Sequence, residues 1–584
     1  MSDINLKING IEVSVPAGST ILQAARKAGI RIPTLCYLKD VNEIGACRIC
    51  IVEVKGARGL VASCVFPAAD GMEVYTNTPK IIEARKTTLQ LILSNHKMEC
   101  LSCVRSENCE LQRLCKEYGI TDSHRFDGEK SRFDIDASAA HMYRDNEKCI
   151  LCRRCSATCE RLQAVSVIGA NDRGFDTHIS CAFENGLDDV ACVSCGQCIT
   201  ACPTGALSER DDTQKVFDAL NDPTKHVVVQ TAPATRVGLG EEFGYPIGSI
   251  VTGKMVSALR ALGFDKVFDT NFSADLTIME EATEFLSRYT SKENLPLITS
   301  CSPGWIKFCE FNFPEMIANL SSCKSPQGMF GSVAKTYYAE KEGIDAKDIF
   351  VVSVMPCTAK KFEAERLEHT AVKGLADIDA VITTRELARM IKKMGIIFNE
   401  LPEGEYDYPF GLGSGAGTIF GATGGVMEAA LRTAYEKVTG GMLDDNSINF
   451  TAVRGVEGIK EATYNLAGNE VKVAVASGLA NAKKLLELVK SGEKYYDFIE
   501  IMACPGGCVN GGGQPIQPAN VRNDVDIRAL RAEALYKDDL NLPVRKSHEN
   551  PDIKRIYEEY FGEPNSHKAH EILHTIYIPR KLYK

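Results

Sequence analysis

The sequence predicts a multidomain chain mixing α+β and α/β architecture, with small cysteine-rich units in front and a large α/β domain behind. Three observations predict it. The 584 residues amount to about four typical domains, and 44% of them are hydrophobic, enough for several cores. The 23 cysteines are bunched: seventeen fall between Cys36 and Cys202, none between Cys202 and Cys301, and six follow. Beyond residue 210, wholly apolar runs alternate with helical stretches, the pattern of parallel strands covered on both faces.

The first unit, residues 1–79, opens on an alternating stretch in which Ile4, Leu6 and Ile8 answer Ile11, Val13 and Val15 across Asn9-Gly10, a dipeptide suited to a type I′ turn. Ser19-Thr20 caps a helix carrying Ile21, Leu22 and Ala25, and Gly29 closes it. Hairpin, helix and cysteine loop make a β-grasp unit. Its thiols, Cys36-x10-Cys47-x2-Cys50-x13-Cys64, suit one 2Fe-2S cluster, although spacing alone also admits a zinc knuckle. Heme attachment is excluded because Ile51 follows Cys50.

Residues 80–125 carry His96-x3-Cys100-x2-Cys103-x5-Cys109, one imidazole with three thiolates. That set fits either zinc or a 4Fe-4S cubane. Its place between two iron-sulfur units favours the electron carrier, and a neutral imidazole ligand should raise the cluster's potential. Residues 126–210 hold an internal duplication, Cys149-x2-Cys152-x2-Cys155-x3-Cys159 and Cys192-x2-Cys195-x2-Cys198-x3-Cys202-Pro203. This is the bacterial ferredoxin run, whose fourth thiolate crosses to the other cluster. One cubane is expected on Cys149, Cys152, Cys155 and Cys202, the other on Cys192, Cys195, Cys198 and Cys159.

In residues 211–525 the apolar runs HVVVQT, PLITS, IFVVSVM, DAVITT, VKVAVA and DFIEIM are the expected strands, and three of them end at Cys301, at Cys357, and at Cys504 with Cys508. Ligands of open α/β sheets sit beyond such carboxyl ends. Residues 526–584 read as a helical segment wrapping that domain. The net charge of −10 gives no electrostatic case for nucleic acid or anionic lipid, and favours a small positively charged protein partner. No apolar run approaches the ~20 residues of a membrane span, and the start MSDINLKING lacks the features of a signal peptide. A cytoplasmic location is therefore expected, where thiols stay reduced and dense Cys-x-x-Cys spacing means metal.

The segments TSCSPGW (299–305), MPCTAKKFEAE (355–365) and EIMACPGGCVNGGGQP (500–515) resemble the three signature motifs of the iron-only (FeFe) hydrogenases, and the resemblance runs on to KSHEN and AHEILHT near the end. It implies an H-cluster: a cubane on four cysteines, one of them bridging to a diiron unit that carries carbonyl, cyanide and a dithiolate. Carried over by motif, Cys357, Cys504 and Cys508 are cubane ligands, with Cys508 the bridge. The implied reaction is 2H⁺ + 2e⁻ ⇌ H₂, fed by one 2Fe-2S and three accessory 4Fe-4S clusters.

This sequence departs from the family pattern at Cys301-Ser302, where a cysteine pair is usual. Either Cys301 ligates the cubane, or it relays protons and Ser302 is an oxygen ligand; thiolate is the softer match to iron. The resemblance further implies that Lys360 hydrogen-bonds a cyanide and that Glu281, Glu284, Ser321 and Arg288 form a proton path. On spacing alone the two glutamates, three apart on a helix, read as a solvated face, and only the resemblance reverses that. Met355, Met502 and Gln327 are candidate cofactor contacts, and Ala234 stands where the family has a serine. Cys115, Cys181, Cys309 and Cys323 are taken as packing residues.

Expected partners are H₂ and protons, ferredoxin or flavin-containing subunits that oxidise NAD(P)H, and H-cluster maturation proteins. The rivals are an electron-transfer subunit and a hydrogen sensor of low turnover. The glycine-rich stretch 411–425 is read as close backbone packing rather than a phosphate loop. His567, His570 and His574 share one helical face, read as a helix laid on the main domain rather than a metal site.

Overall fold

The computed structural model describes residues 3–299, 301–443, 447–455, 458–466 and 468–583. Ser300 of the 299–305 segment, and the extreme ends of the first and last expected domains, lie outside the described residues.

The Asn9-Gly10 turn has φ of 49° and 85°, as a type I′ turn needs. It joins Asp3–Ile8 to Ile11–Pro16 at the edge of a five-stranded sheet completed by Glu73–Tyr75, Ile51–Val54 and Val61–Ala62. Asp3–Ile8 runs parallel to Glu73–Tyr75, the central pairing of a β-grasp. Thr20 caps the helix Ile21–Lys27 in a reciprocal box with Gln23, and Leu6, Ile8, Val13 and Val15 bury against Ile21, Leu22 and Ala25. A second core, of Leu35 and Ile49 with Leu89, Leu93, Leu111 and Leu114, fuses this unit to the helices Pro79–Asn95 and Glu110–Glu117.

The duplicated segment folds as two antiparallel strand pairs, Met142–Arg144 with Leu207–Glu209 and Gly169–Asn171 with His178–Ser180. A short helix follows each triple-cysteine turn, Arg154–Ala157 and Gln197–Ala201.

Behind it stand two four-stranded sheets. The first orders Lys266–Asp269, His226–Thr231, Ile349–Met355 and Ala380–Thr383, all parallel. The second orders Leu297–Ile298, Phe498–Met502, Asn469–Ser477 and Ile459–Leu466. All six expected runs are strands. Each has a parallel partner, as expected, whereas Ile459–Leu466, outside those runs, pairs antiparallel with Asn469–Ser477. Its alternating burial explains the difference: a strand with one wet face suits an antiparallel edge, whereas parallel strands are buried on both faces. Between the sheets runs the helix Thr270–Ser291, buried over most of its length.

The last segment lies across the large domain. Arg531 of the helix Ile527–Asn541 pairs with Glu241 (2.7 Å) and donates to the Val509 carbonyl, while Arg432 pairs with Asp539 (2.9 Å), all buried. The glycine-rich stretch packs as expected: a Cβ on Gly417 would lie 2.7 Å from the Asn271 carbonyl oxygen, so only glycine lets these backbones meet.

Candidate functional site

In the β-grasp loop, the Cys36 amide donates to Cys47 Sγ (3.3 Å), and the Cys50 and Cys64 sulfurs lie 3.3 Å apart. In the next unit, His96 follows the helix Pro79–Asn95 directly, and its buried Nδ1 has no partner. Burial lowers this imidazole to about 4, so it is neutral at pH 7 and its lone pair is free for a metal. Cys109 lies near Cys103, and Cys100 is exposed. Cys115, read as a packing residue, sits near Cys109 and Cys100 and is pushed up to about 11 by burial and by those thiols.

Cys149 is flanked by Cys152 and Cys202, and Cys155 by Cys149 and Cys202. Cys159, Cys192, Cys195 and Cys198 line a single small cavity. The units interlock at these loops. Arg154 pairs with buried Glu110 (2.8 Å) and donates to the Cys36 and Tyr37 carbonyls. Asn42 Nδ2 bridges the carbonyls of Cys36 (2.8 Å) and Cys152 (2.9 Å), and Arg105 donates to the Cys202 carbonyl (3.0 Å). The first cubane position thus touches both front units.

A second hollow lies beyond the carboxyl ends of the strands and is lined by Cys301, Ser302, Cys357, Lys360, Met502, Cys504 and Cys508, and again by Cys195. One thiol therefore separates the two cavities. The contact is close because of Gly196, which has φ +67°, and any Cβ there would strike Thr358 and the Gly512 backbone. Thr358 Oγ1 donates to the Ser194 carbonyl (2.8 Å), pinning the ferredoxin-like loop to the Cys357 turn.

The donor set fits an iron-sulfur centre: five soft sulfurs, those of Cys195, Cys301, Cys357, Cys504 and Cys508, line one hollow. Cys504 has Cys357, Cys195 and Cys508 as neighbouring thiols. Cys301 lines the same cavity. Its neighbours are Cys508, Glu500, Glu281 and Lys360, burial raises its thiol well above the usual range, and it packs on the core of the 270–291 helix. Ser302 leads into the helix Pro303–Asn312.

Lys360 Nζ donates to Ser325 Oγ (2.7 Å), Glu363 Oε2 (2.8 Å) and the Cys301 carbonyl (3.3 Å). Gln327 Nε2 donates to the same Glu363 oxygen (3.0 Å). Met355 packs in the core with Val351 and Phe330 at the end of its strand, and Met502 lines the cavity. Ala234 packs in the cluster beside Cys508, and its carbonyl accepts from Gln514 (2.7 Å).

Glu281 and Glu284 are buried, not a solvated face. Arg288 donates to Glu284 Oε1 (2.6 Å), and Ser321 Oγ donates to Glu284 Oε2 (2.8 Å) and hydrogen-bonds with Glu281. Burial first, then the Glu284 charge, pushes Glu281 up to about 8. Arg288, Glu284, Ser321 and Glu281 are thus linked in sequence, and Glu281 is in turn a neighbour of Cys301.

Residues 225–512 match the C-terminal domain of the iron only hydrogenase large subunit, and 525–580 match the iron hydrogenase small subunit. In front, 2–79 match a 2Fe-2S cluster binding domain, 85–124 the NADH-ubiquinone oxidoreductase-G iron-sulfur binding region, and 148–206 a 4Fe-4S dicluster domain. The chain is 49% identical to the NADP-reducing hydrogenase subunit HndD of Solidesulfovibrio fructosivorans, with 100% of each covered. It belongs to the iron-only hydrogenases. It is also 46% identical to Iron hydrogenase 1 of Clostridium pasteurianum over 98% of this chain and 99% of that one. Among solved structures, a variant of the [FeFe]-hydrogenase HydA1 from Chlamydomonas reinhardtii aligns with a TM-score of 0.57 at 46% identity, covering 64% of this chain and 100% of that one.

Sequence reading of this hydrogenase missed Glu500, Glu363 and Ser325. Glu500 sits mid-strand, accepts from the Gly424 and Met427 amides (both 2.7 Å), and is raised by burial to about 7. A lone acid inside the apolar run DFIEIM was the available clue. Glu363, three residues past Lys360, shares its helical face.

Proposed function

We propose that this iron-only hydrogenase interconverts protons, electrons and H₂ in the cavity bounded by Cys301, Cys357, Cys504 and Cys508. The observation that carries this reading is the shared wall at Cys195, which joins a cavity of ferredoxin type to a cavity at the strand ends. When bound, the H-cluster supplies an open iron position at which protons and electrons combine. Cys357, Cys504 and Cys508 hold its cubane, and Cys508, beside Ala234, is the shared thiolate. Cys301, which lies beside Cys508 in the cavity and has Glu500 and Glu281 as its other acidic neighbours, is assigned to the proton file. The Ser302 hydroxyl then occupies the fourth ligand position. Lys360, fixed by Glu363 and Ser325, presents a positive charge to the anionic ligands.

Electrons enter by two routes, the 2Fe-2S set of Cys36, Cys47, Cys50 and Cys64 and the 4Fe-4S set of His96, Cys100, Cys103 and Cys109. Both lead to the Cys149, Cys152, Cys155, Cys202 cubane, which passes charge to the Cys192, Cys195, Cys198, Cys159 cubane. The contacts of Arg154, Asn42 and Arg105 support that order. The partners are flavin-containing NAD(P)-linked subunits, as the full-length likeness to an NADP-reducing subunit suggests, with free ferredoxin the alternative. No helix among the described residues is long and apolar enough to cross a membrane, and we place the enzyme in the cytoplasm.

The test is hydrogen evolution from a reduced dye by chain assembled anaerobically with its diiron unit. Steady evolution is expected. Zinc in place of iron, or no hydrogen from protein whose infrared spectrum shows a filled site, overturns the reading. Native mass measurement of the purified assembly separates flavin subunits from ferredoxin.

A further inference from the structure

The proton file has an unsolved entrance. Arg288 holds Glu284, but a guanidinium keeps its proton at any working pH and cannot hand one on. Glu284 itself is 11% exposed at its side chain and crowded by Arg288, Ser321, Ser322 and Cys323. A titrating group must reach it from another element.

His574 does. Its Nδ1 is 2.8 Å from Ser322 Oγ, and that hydroxyl lies 3.4 Å from Glu284 Oε1. Its Nε2 is 3.1 Å from Glu280, a fully buried acid that also accepts from Tyr557 and from the Asn565 amide (2.8 Å). The ring is held in register because residues 573–575 pair with 322–324: Lys324 N donates to the Leu573 carbonyl and Thr575 N to the Ser322 carbonyl, both 2.8 Å. Only 5% of the His574 side chain is exposed. Over it lies His570, exposed, with ring centroids 4.1 Å apart.

We propose that His574 is a second proton inlet, joined to the hydrogenase's proton file at Glu284 through Ser322 and facing water beneath His570. Imidazole is the side chain whose charge changes near neutral pH, and its two nitrogens let it take a proton on one side and release it on the other. The transfer balances. A proton is taken up at Nε2 when that nitrogen parts from Glu280; the Nδ1 proton goes to Ser322 Oγ while the serine's own hydrogen moves to Glu284 Oε1. The Glu284 carboxyl then turns to present this proton to Ser321, whose own hydrogen moves toward Glu281, and ring, hydroxyls and carboxyl turn back before the next transfer. Glu280 on Nε2 steadies the charged ring between hops. The other groups facing this histidine are Cys323 on the paired strand and His570 on its own helix; behind them lie Tyr557, bonded to Glu280, and Arg288, bonded to Glu284. Lys437 faces Glu280 from the helix Gly425–Thr439, and His567 faces His570.

This inlet rests on the hydrogenase reading, and its test separates the two. In the fully assembled chain, His574→Gln keeps a hydrogen-bonding side chain without a titratable nitrogen, Ser322→Ala cuts the link beyond it, and His567→Gln alters an exposed neighbour only. Hydrogen evolution is measured against pH, with thermal melting as a fold control. His574→Gln and Ser322→Ala should each lose about tenfold on the acid side and shed one ionisation from the profile, with His567→Gln unchanged. If His574→Gln fails to fold, Ser322→Ala decides alone. Profiles of the folded variants that superimpose on the parent overturn the inlet. Infrared difference spectra after a pH jump report Glu284 protonation even in chain that evolves no hydrogen. Slower protonation in the two variants supports the inlet; an unchanged rate overturns it independently of the hydrogenase reading.

Discussion

Glu281→Gln separates proton transfer from packing. Glu281 is wholly buried, and its carboxyl titrates at about 8 against an ordinary 4.5. Between those values the native chain binds a proton that the unfolded chain has released, so stability falls as pH rises through that window. At about 1.4 kcal/mol per unit, the buried charge costs on the order of 5 kcal/mol above pH 8. Glutamine fills the same space and never charges. It should therefore remove this slope and leave the protein no less stable at pH 8.5. Losing a positioned proton carrier costs a factor of about 10²–10⁴ in rate, so hydrogen evolution should fall at least about a hundredfold. The assay is evolution from a reduced dye across pH, beside melting curves at the same pH values. Unchanged evolution with a filled site would remove Glu281 from the proton path. Loss of activity together with the fold would make its role structural.

Cys301→Ala should leave the iron bound at the catalytic cavity unchanged while evolution falls about a hundredfold; loss of about four irons per chain would make Cys301 the ligand instead. His96→Cys adds a thiolate to the second front cluster and should lower its potential, on the order of 100 mV, in a redox titration followed by electron paramagnetic resonance; zinc at that position would refute the electron route through it. Arg154→Met strands Glu110, which is 4% exposed, and should cost about 3–5 kcal/mol in chemical denaturation; a loss below about 1 kcal/mol would mean the three front units do not depend on that contact.

What could be read from the sequence tracks how local the cause is. Cysteine spacing is local, so the thiol groupings were legible before any fold, as were the six apolar runs and the Asn9-Gly10 turn. Lys266–Asp269 went unseen because Lys and Asp end a four-residue run, too short to show a period. The antiparallel edge at Ile459–Leu466 alternates polar and apolar residues, a pattern overlooked among wholly apolar neighbours. Burial of Glu281 and Glu284 was beyond reach, since three-residue spacing on a helix looks alike whether the face meets water or a second sheet. The links that matter most are the least local. Ser322 meets His574 across 252 residues, and Gln197 meets the Asn510 carbonyl across 313. Such pairs follow from how the last segment and the ferredoxin-like loops dock on the large domain, which no window of sequence contains.

The most direct measurement is film voltammetry of the fully assembled chain under nitrogen and then hydrogen. A reductive current under nitrogen and an oxidative current under hydrogen are expected, both lost in Cys508→Ala while the non-catalytic waves of the front clusters persist. Persistent cluster waves in the parent chain, with no current that responds to hydrogen or protons, would contradict the account.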